Sequence, residues 1–256
     1  MSKNFELMQQ AGVETPMSPV PDMKTPFPAR NGHRHGHVRS SGEPLDIDKL
    51  AREESLKLVQ RVFLLQAGEP PRAVVFAGID HGNGCSRTCA RVAETLARNI
   101  QGTVCLVDAN LRTPGLPEYF GVANHHGLTD ALLQEDPIRN FTKQLRPDNL
   151  WLLSCGSLAS DSANLLNSER LKARFAELRQ EFDYVLIDAP PLGKYNDAMA
   201  LGRIADGLIF VLEANATRRE AAIQVTENLR ASHVNVLGAV LNKRTFPIPE
   251  SLYHRL

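Results

Sequence analysis

Ala73-Val74-Val75-Phe76-Ala77-Gly78-Ile79-Asp80-His81-Gly82-Asn83-Gly84-Cys85-Ser86-Arg87-Thr88 begins as an unbroken apolar run, turns through three glycines and continues at helical spacing. An apolar run without alternation is what a strand buried on both faces looks like. The same alternation repeats outward along the chain. Apolar runs at 103–109, 150–154, 184–189, 207–213 and 236–242 predict five more strands, and 86–100, 128–133, 168–181, 198–204 and 218–232 predict the helices between them. Strands that alternate with helices specify a parallel sheet covered on both faces. The expected fold is therefore α/β, a doubly wound, mostly parallel sheet in three α/β/α layers, spanning 73–244 with no internal repeat.

A glycine-rich turn between strand and helix lets backbone N–H groups converge on a phosphate, aided by the positive end of the helix. The P-loop pattern is G-x-x-x-x-G-K-[ST]. Gly84 takes its later glycine and Ser86 the hydroxyl that ligates magnesium, which makes the expected fold P-loop NTPase-like. The first glycine position falls on Ile79, with Gly78 one residue too early, and Cys85 stands where the lysine belongs. An ordinary glycine-rich loop is the competing reading of this segment alone. Two further residues favour a nucleotide site. The runs Val104-Cys105-Leu106-Val107-Asp108 and Tyr184-Val185-Leu186-Ile187-Asp188 both end in aspartate. That places two carboxylates at the carboxyl edge of the sheet, where open α/β folds bind ligands and P-loop enzymes hold Mg²⁺. Each aspartate taken singly is also compatible with capping a loop.

The 256 residues carry 29 basic and 29 acidic side chains and are 43% hydrophobic, so no net field argues for nucleic acid as a partner. No apolar run approaches the ~18 residues of a spanning helix. The first thirty residues, with Glu6, Glu14 and five prolines, lack the apolar core of a secretory signal. Four cysteines do not make a disulfide framework, so a reducing, cytoplasmic compartment is expected. Residues 1–45 hold six prolines and few large apolar groups and are expected to be a disordered tail. Its His33, His35 and His37 read as a solvated run or a metal-catching one. Residues 46–68 predict an N-terminal helix with Asp46 or Asp48 as cap, and 245–256 a short, proline-broken extension.

Cys85 and Cys89 are four apart and share a helix face. Cys89 reads as core. For Cys85 two readings stand, a thiolate favoured by the helix N-terminus and a small neutral filler. His81 flanks the loop and reads as a polar loop residue or a ligand contact; His125 and His126 read as loop residues and Trp151 as core.

The segments Gly82-Asn83-Gly84-Cys85-Ser86, Leu106-Val107-Asp108-Ala109-Asn110-Leu111-Arg112-Thr113-Pro114-Gly115 and Phe182-Asp183-Tyr184-Val185-Leu186-Ile187-Asp188-Ala189-Pro190-Pro191 together resemble the bacterial tyrosine kinases of capsule and exopolysaccharide synthesis. These belong to the ParA/MinD-like deviant P-loop ATPases, which commonly dispense with the early glycine. Asn196-Asp197-Ala198, Thr217-Arg218-Arg219-Glu220 and Val236-Leu237-Gly238-Ala239-Val240-Leu241-Asn242-Lys243 extend the resemblance, which runs in order from about residue 54 to 244. It implies ATP or ADP with Mg²⁺ held by Gly82, Asn83, Gly84, Cys85, Ser86 and Arg87, with Asn242 against the adenine. It implies metal binding by Ser86, Asp108 and Asp188, and catalysis by the two aspartates; Arg112 lies in the motif that follows Asp108. It further implies a membrane-bound polysaccharide co-polymerase as partner, a homo-oligomer or a hetero-oligomer with an intact kinase, and a place at the inner membrane through that partner.

Three departures bear on activity. Cys85 removes a unit charge that, at a few ångströms and an effective dielectric near 20, is worth roughly 4 kcal/mol before desolvation. Arg87 is near in sequence but one helical step further on. The family's arginine-rich oligomerisation helix is matched only in part by Glu54-Ser55-Leu56-Lys57-Leu58-Val59-Gln60-Arg61, and its C-terminal tyrosine cluster is reduced to Tyr253, the phosphorylation candidate. The sequence thus supports a weakened or inactive kinase-like subunit (a pseudokinase), with an active tyrosine autokinase or ATPase and a MinD/ParA-like positioning switch as alternatives.

Overall fold

The computed structural model describes residues 47–65, 68–157 and 169–244. The N-terminal segment 1–45 with its three histidines, and the extension 245–256 with Tyr253, lie outside the described residues.

Helix α1 (Ile47–Val59) leads through a single π-helical turn at Gln60–Leu64 towards β1 (Ala73–Gly78). Then follow α2 (Cys85–Asn99), β2 (Val104–Asp108), α3 (Leu116–Phe120), α4 (Leu128–Leu133), β3 (Thr142–Gln144), β4 (Leu150–Leu153), α5 (Glu169–Glu181), β5 (Tyr184–Ala189), α6 (Asp197–Ile204), β6 (Gly207–Glu213), α7 (Arg219–Ala231) and β7 (Val236–Asn242). Among the described residues, no helix is long and apolar enough to cross a membrane.

The seven strands form one sheet in the order β3-β4-β2-β5-β1-β6-β7, parallel throughout except for β3 against β4. All residues of β1 and β2 are buried. Alternate side chains feed opposite layers. Val75, Ala77, Val185, Ile187 and Phe210 pack with Phe175 and Leu178 of α5, Leu201 of α6 and Leu229 of α7. Val74, Phe76, Leu106, Leu186 and Ile209 pack on the other face with Val92 and Leu96 of α2 and with Val59 and Phe63 of the α1 segment. The architecture is the P-loop NTPase-like α/β/α sandwich expected from the alternating apolar runs.

A 3-10 turn at Ile138–Phe141, an edge strand and a short helix lie beyond that expectation. Edge strand β3 is Thr142-Lys143-Gln144, with a polar, largely exposed pattern that presents no apolar run to read. The five-residue α3 follows its N-cap Gly115, with Pro117 in its first turn and no room for helical periodicity. The helix expected over 46–68 takes the π-helical turn at its end, and Asp48 sits in its first turn, paired with Arg91 of α2 at 3.1 Å.

The register positions the site. Asp108 and Asp188 are direct partners in the β2–β5 pairing, so both strands end level. β1 runs between β5 and β6, and its carboxyl end opens beside these two aspartates.

Candidate nucleotide site at the carboxyl edge

β1 ends at Gly78, and six residues later α2 begins with Gly84 as N-cap. The turn between them needs glycine at definite places. Gly82 and Gly84 both have φ of +80°, a left-handed conformation that costs a residue with Cβ about 1–2 kcal/mol. Gly84 also faces the amide of Asn242, and Gly78 faces that of Asn83, so closely that a methyl group at either position would overlap it.

Asn83 holds the turn from beneath. It is 2% exposed, and its Nδ2 donates to the Val211 carbonyl of β6 at 2.8 Å. Its own carbonyl accepts from Asn242 Nδ2, also at 2.8 Å. The backbone of the 190s loop closes the other side, where Leu192 and Gly193 donate to the Gly78 and Ile79 carbonyls at 2.8 and 2.9 Å. With glycine as N-cap, no side chain caps α2. The first-turn N–H groups of Cys85, Ser86 and Arg87 therefore lack both an intrahelical partner and a side-chain acceptor among the described residues, the arrangement that receives an anion.

A cleft of about 280 Å³ opens over this turn, lined by the loop from Asp80 to Arg87 with Asn110, Thr113 and Pro191. Of the residues singled out in the sequence, Gly82, Asn83, Gly84, Cys85, Ser86, Arg87 and His81 meet here. Asn242 does not line the cleft; it braces the turn through Asn83.

The two aspartates lie deeper, and both are fully buried. Asp108 accepts from the backbone N–H of Asn110 at 3.2 Å and of Leu116 at 3.1 Å, so its oxygens brace the 109–116 loop. Asp188 has no hydrogen-bond partner on either oxygen among the described residues. Burial raises Asp188 from the ordinary 3.8 to about 6; the nearby Ser86 hydroxyl and Cys85 thiol temper the rise, though neither completes a well-formed hydrogen bond. Burial, and then the charge of Asp188, raises Asp108 from the same start to about 7.

Cys85 is half-buried against the apolar layer on the α1 and α2 side. Burial pushes its thiol well above the ordinary range, and Asp188 adds to the rise. These effects favour the neutral thiol and oppose the helix N-terminus, which would favour a thiolate. Cys89 is fully buried and raised for the same reasons.

Among the described residues, no three or more His, Cys, Asp or Glu side chains form a ready metal cage. A buried carboxylate with two unsatisfied oxygens beside a serine hydroxyl nevertheless suits a hard cation such as Mg²⁺. That ion is commonly held by one or two carboxylates, with phosphate and water supplying the other ligands. Asp188 and Ser86 fit that role; Asp108 has its oxygens partly committed to backbone N–H groups.

Sequence reading alone did not find the clasp around the cleft mouth. Arg112 Nε lies 3.3 Å from Oδ2 of the buried Asp197, and the Arg112 guanidinium stacks 3.9 Å above the centre of the Tyr195 ring. His81 meets the same ring edge-on at 6.2 Å. Loops from β1, β2 and β5 are thereby tied together. Arg112 and Asp197 each fall in a segment of the family resemblance, but 85 residues separate them and nothing in one chain pairs them.

No protein-family model matches the chain. Tyrosine-protein kinase YwqD of Bacillus subtilis (strain 168) is 32% identical over 172 residues, which covers 67% of this chain and 72% of that protein. Succinoglycan biosynthesis transport protein ExoP of Rhizobium meliloti (strain 1021) is 30% identical over 180 residues, covering 69% of this chain and 23% of that protein. Among solved structures, the VpsO kinase domain superposes with a TM-score of 0.70 at 24% identity, covering 77% of this chain and 98% of that one.

Proposed function

The chain belongs to the bacterial tyrosine kinases of capsule and exopolysaccharide synthesis, and we propose that within this family it is a kinase-like nucleotide-binding subunit in which phosphoryl transfer is weakened or lost. One observation carries the proposal. At the position of the P-loop lysine stands Cys85, a neutral thiol beside Asp188, whose buried carboxylate has no partner. A lysine there would offset the charge of Asp188 and stabilise charge on the transferring phosphates. A thiol does neither. Loss of roughly 4 kcal/mol of electrostatic stabilisation is enough to slow transfer by about a thousandfold.

The binding half of the site supports retention of nucleotide. The turn keeps both left-handed glycines, the uncapped helix start and the Ser86 hydroxyl, and Asn83 and Asn242 hold its shape. ATP or ADP would sit against Gly82 to Arg87, and Mg²⁺ at Ser86 and Asp188 with support from Asp108. The magnesium, when bound, neutralises phosphate charge; the chain's own contribution is to cradle and orient those phosphates. The name of ExoP points to a polysaccharide transport machinery. A cytoplasmic subunit docked on a membrane-bound co-polymerase, alone or in an oligomer with an intact kinase, is the corresponding role here.

The test is a tyrosine-phosphorylation assay with Mg·ATP on the wild type and Cys85→Lys. Wild type is expected to give no phosphotyrosine above a no-enzyme blank, and the lysine variant to gain activity. Phosphotyrosine on wild type, lost in Tyr253→Phe, would instead establish an active autokinase. ATP turnover without phosphotyrosine would favour the switch-like alternative.

A further inference from the structure

If the turn binds nucleotide, some group must answer the phosphate charge that Cys85 leaves unopposed. The cleft-lining residues offer few choices. Asp80 has the wrong sign, and His81 is held against the Tyr195 ring. Outside the lining, Arg112 is committed to Asp197 and to the same ring. Arg91, one turn further along α2, pairs with Asp48 on the α1 side. Arg87 remains. It is exposed, lines the cleft and makes no hydrogen bond, ion pair or ring contact with any described residue. It is the third residue of α2, directly after the Ser86 hydroxyl.

We propose that Arg87 is the phosphate-binding cation of this site, displaced two residues from the lysine position, and that the site takes nucleoside diphosphates and triphosphates alike. The assignment rests on the nucleotide-binding reading above and adds to it a residue and a ligand preference. A guanidinium pairs with phosphate through parallel N–H bonds, which a free rim arginine can offer without breaking an existing contact. The preference follows from position. In a P-loop the backbone N–H groups cradle the α- and β-phosphates, and the lysine reaches the β- and γ-phosphates. With a thiol in the lysine position and the cation at the rim beyond Ser86, the contact by which the lysine rewards a terminal phosphate is missing. ADP then binds about as well as ATP. An exposed cation is also screened by salt, so the affinity depends on ionic strength.

The experiment titrates the full chain with Mg·ADP and Mg·ATP by calorimetry at low and high salt, for wild type, Arg87→Ala, Arg87→Lys and Cys85→Lys/Arg87→Ala. Thermal melts check that each variant is folded; alanine at this exposed helical position favours the helix. Wild type is expected to bind both nucleotides within about threefold of each other, more weakly at high salt. Arg87→Ala is expected to weaken both by about 10- to 100-fold, with Arg87→Lys between. Lysine at position 85 in the alanine background should restore ATP more than ADP. If wild type binds and Arg87→Ala binds equally well, the assignment of Arg87 is overturned while the nucleotide-binding reading stands. If folded wild type binds neither nucleotide at millimolar concentration, that reading itself falls, and Arg87 falls with it. A clear wild-type preference for ATP over ADP overturns the ligand preference alone.

Discussion

Replacing Asp188 by asparagine should stabilise the protein above neutral pH and leave it nearly unchanged in mild acid. The carboxyl is fully buried with no hydrogen-bond partner among the described residues, and burial lifts it from 3.8 to about 6. That is about two pH units, and each unit is worth about 1.4 kcal/mol, so ionising Asp188 in the folded state costs about 3 kcal/mol. The sign follows from proton uptake. Between pH 4 and 6 the folded state keeps a proton that the unfolded chain has released, so stability falls as pH rises through this window and stays low above it. The uncharged amide of the variant imitates the protonated carboxyl at every pH. The assay is urea unfolding of wild type and Asp188→Asn from pH 4.5 to 8, followed as a difference so that groups away from this pair cancel; Asp108, no longer raised by the charge of Asp188, adds to the variant's gain above neutral pH. The variant should gain about 3 kcal/mol at pH 8 and about 1 kcal/mol or less at pH 4.5, with an unchanged urea slope. Cys85→Lys should also shrink the loss by giving the carboxylate a partner. Parallel profiles for wild type and Asp188→Asn across the range would show that Asp188 is not held neutral, and would remove the electrostatic argument built on Cys85.

Gly84→Ala combines a φ of +80° with overlap on the Asn242 amide, so it should cost about 1–2 kcal/mol and weaken nucleotide binding more than Gly82→Ala, which meets no neighbour; paired denaturation and titration measurements check this. Arg174, buried in α5, donates to the carbonyls of Ala131 at 2.7 Å, Asp136 at 2.9 Å and Gln134, and thus secures the end of α4. Arg174→Met keeps the apolar stem but strands three carbonyls and should lose about 2–4 kcal/mol by urea unfolding, with earliest amide exchange in 131–136. Asp206 runs opposite to Asp188. Partial burial pushes its carboxyl up, but Arg179 and the N–H groups of Ala73 and Arg72 overcome this and hold it below the usual range. Its contribution is present above about pH 4 and is lost as pH falls through the lowered value, so Asp206→Asn should destabilise at pH 7 and the difference from wild type should shrink as the pH falls below the usual carboxylate range.

The fold was legible because its signals are local. Apolar runs such as Val185-Leu186-Ile187 and Ile209-Phe210-Val211 lack alternation since both faces of the sheet are covered, and that covering is the doubly wound architecture itself. The edge strand Thr142-Lys143-Gln144 escaped because an edge exposed to water needs no apolar run. Likewise, strand-terminal aspartates and a glycine-rich turn can be recognised one at a time, so the place of Gly84, Ser86, Asp108 and Asp188 at the carboxyl edge of the sheet could be read in advance.

What each of those residues touches was not legible. Asn242 carries an expectation of ligand contact, yet it donates to Asn83, 159 positions earlier, and the shape of the turn depends on that bond. Asp108 and Asp188 look equivalent as strand ends, but backbone N–H groups satisfy one and leave the other bare. Sequence by itself determined the sheet, the place of the glycine-rich turn and the cysteine rather than lysine that follows Gly84, because these depend on residue type and on neighbours within a few positions. Only the tertiary structure decided that burial favours the neutral thiol of Cys85, that Asp188 has no hydrogen-bond partner among the described residues and that Arg87, unlike Arg112, makes no ion pair or ring contact with them. Burial and pairing are properties of side chains brought together from β1, β2, β5 and their loops, and no local pattern encodes them.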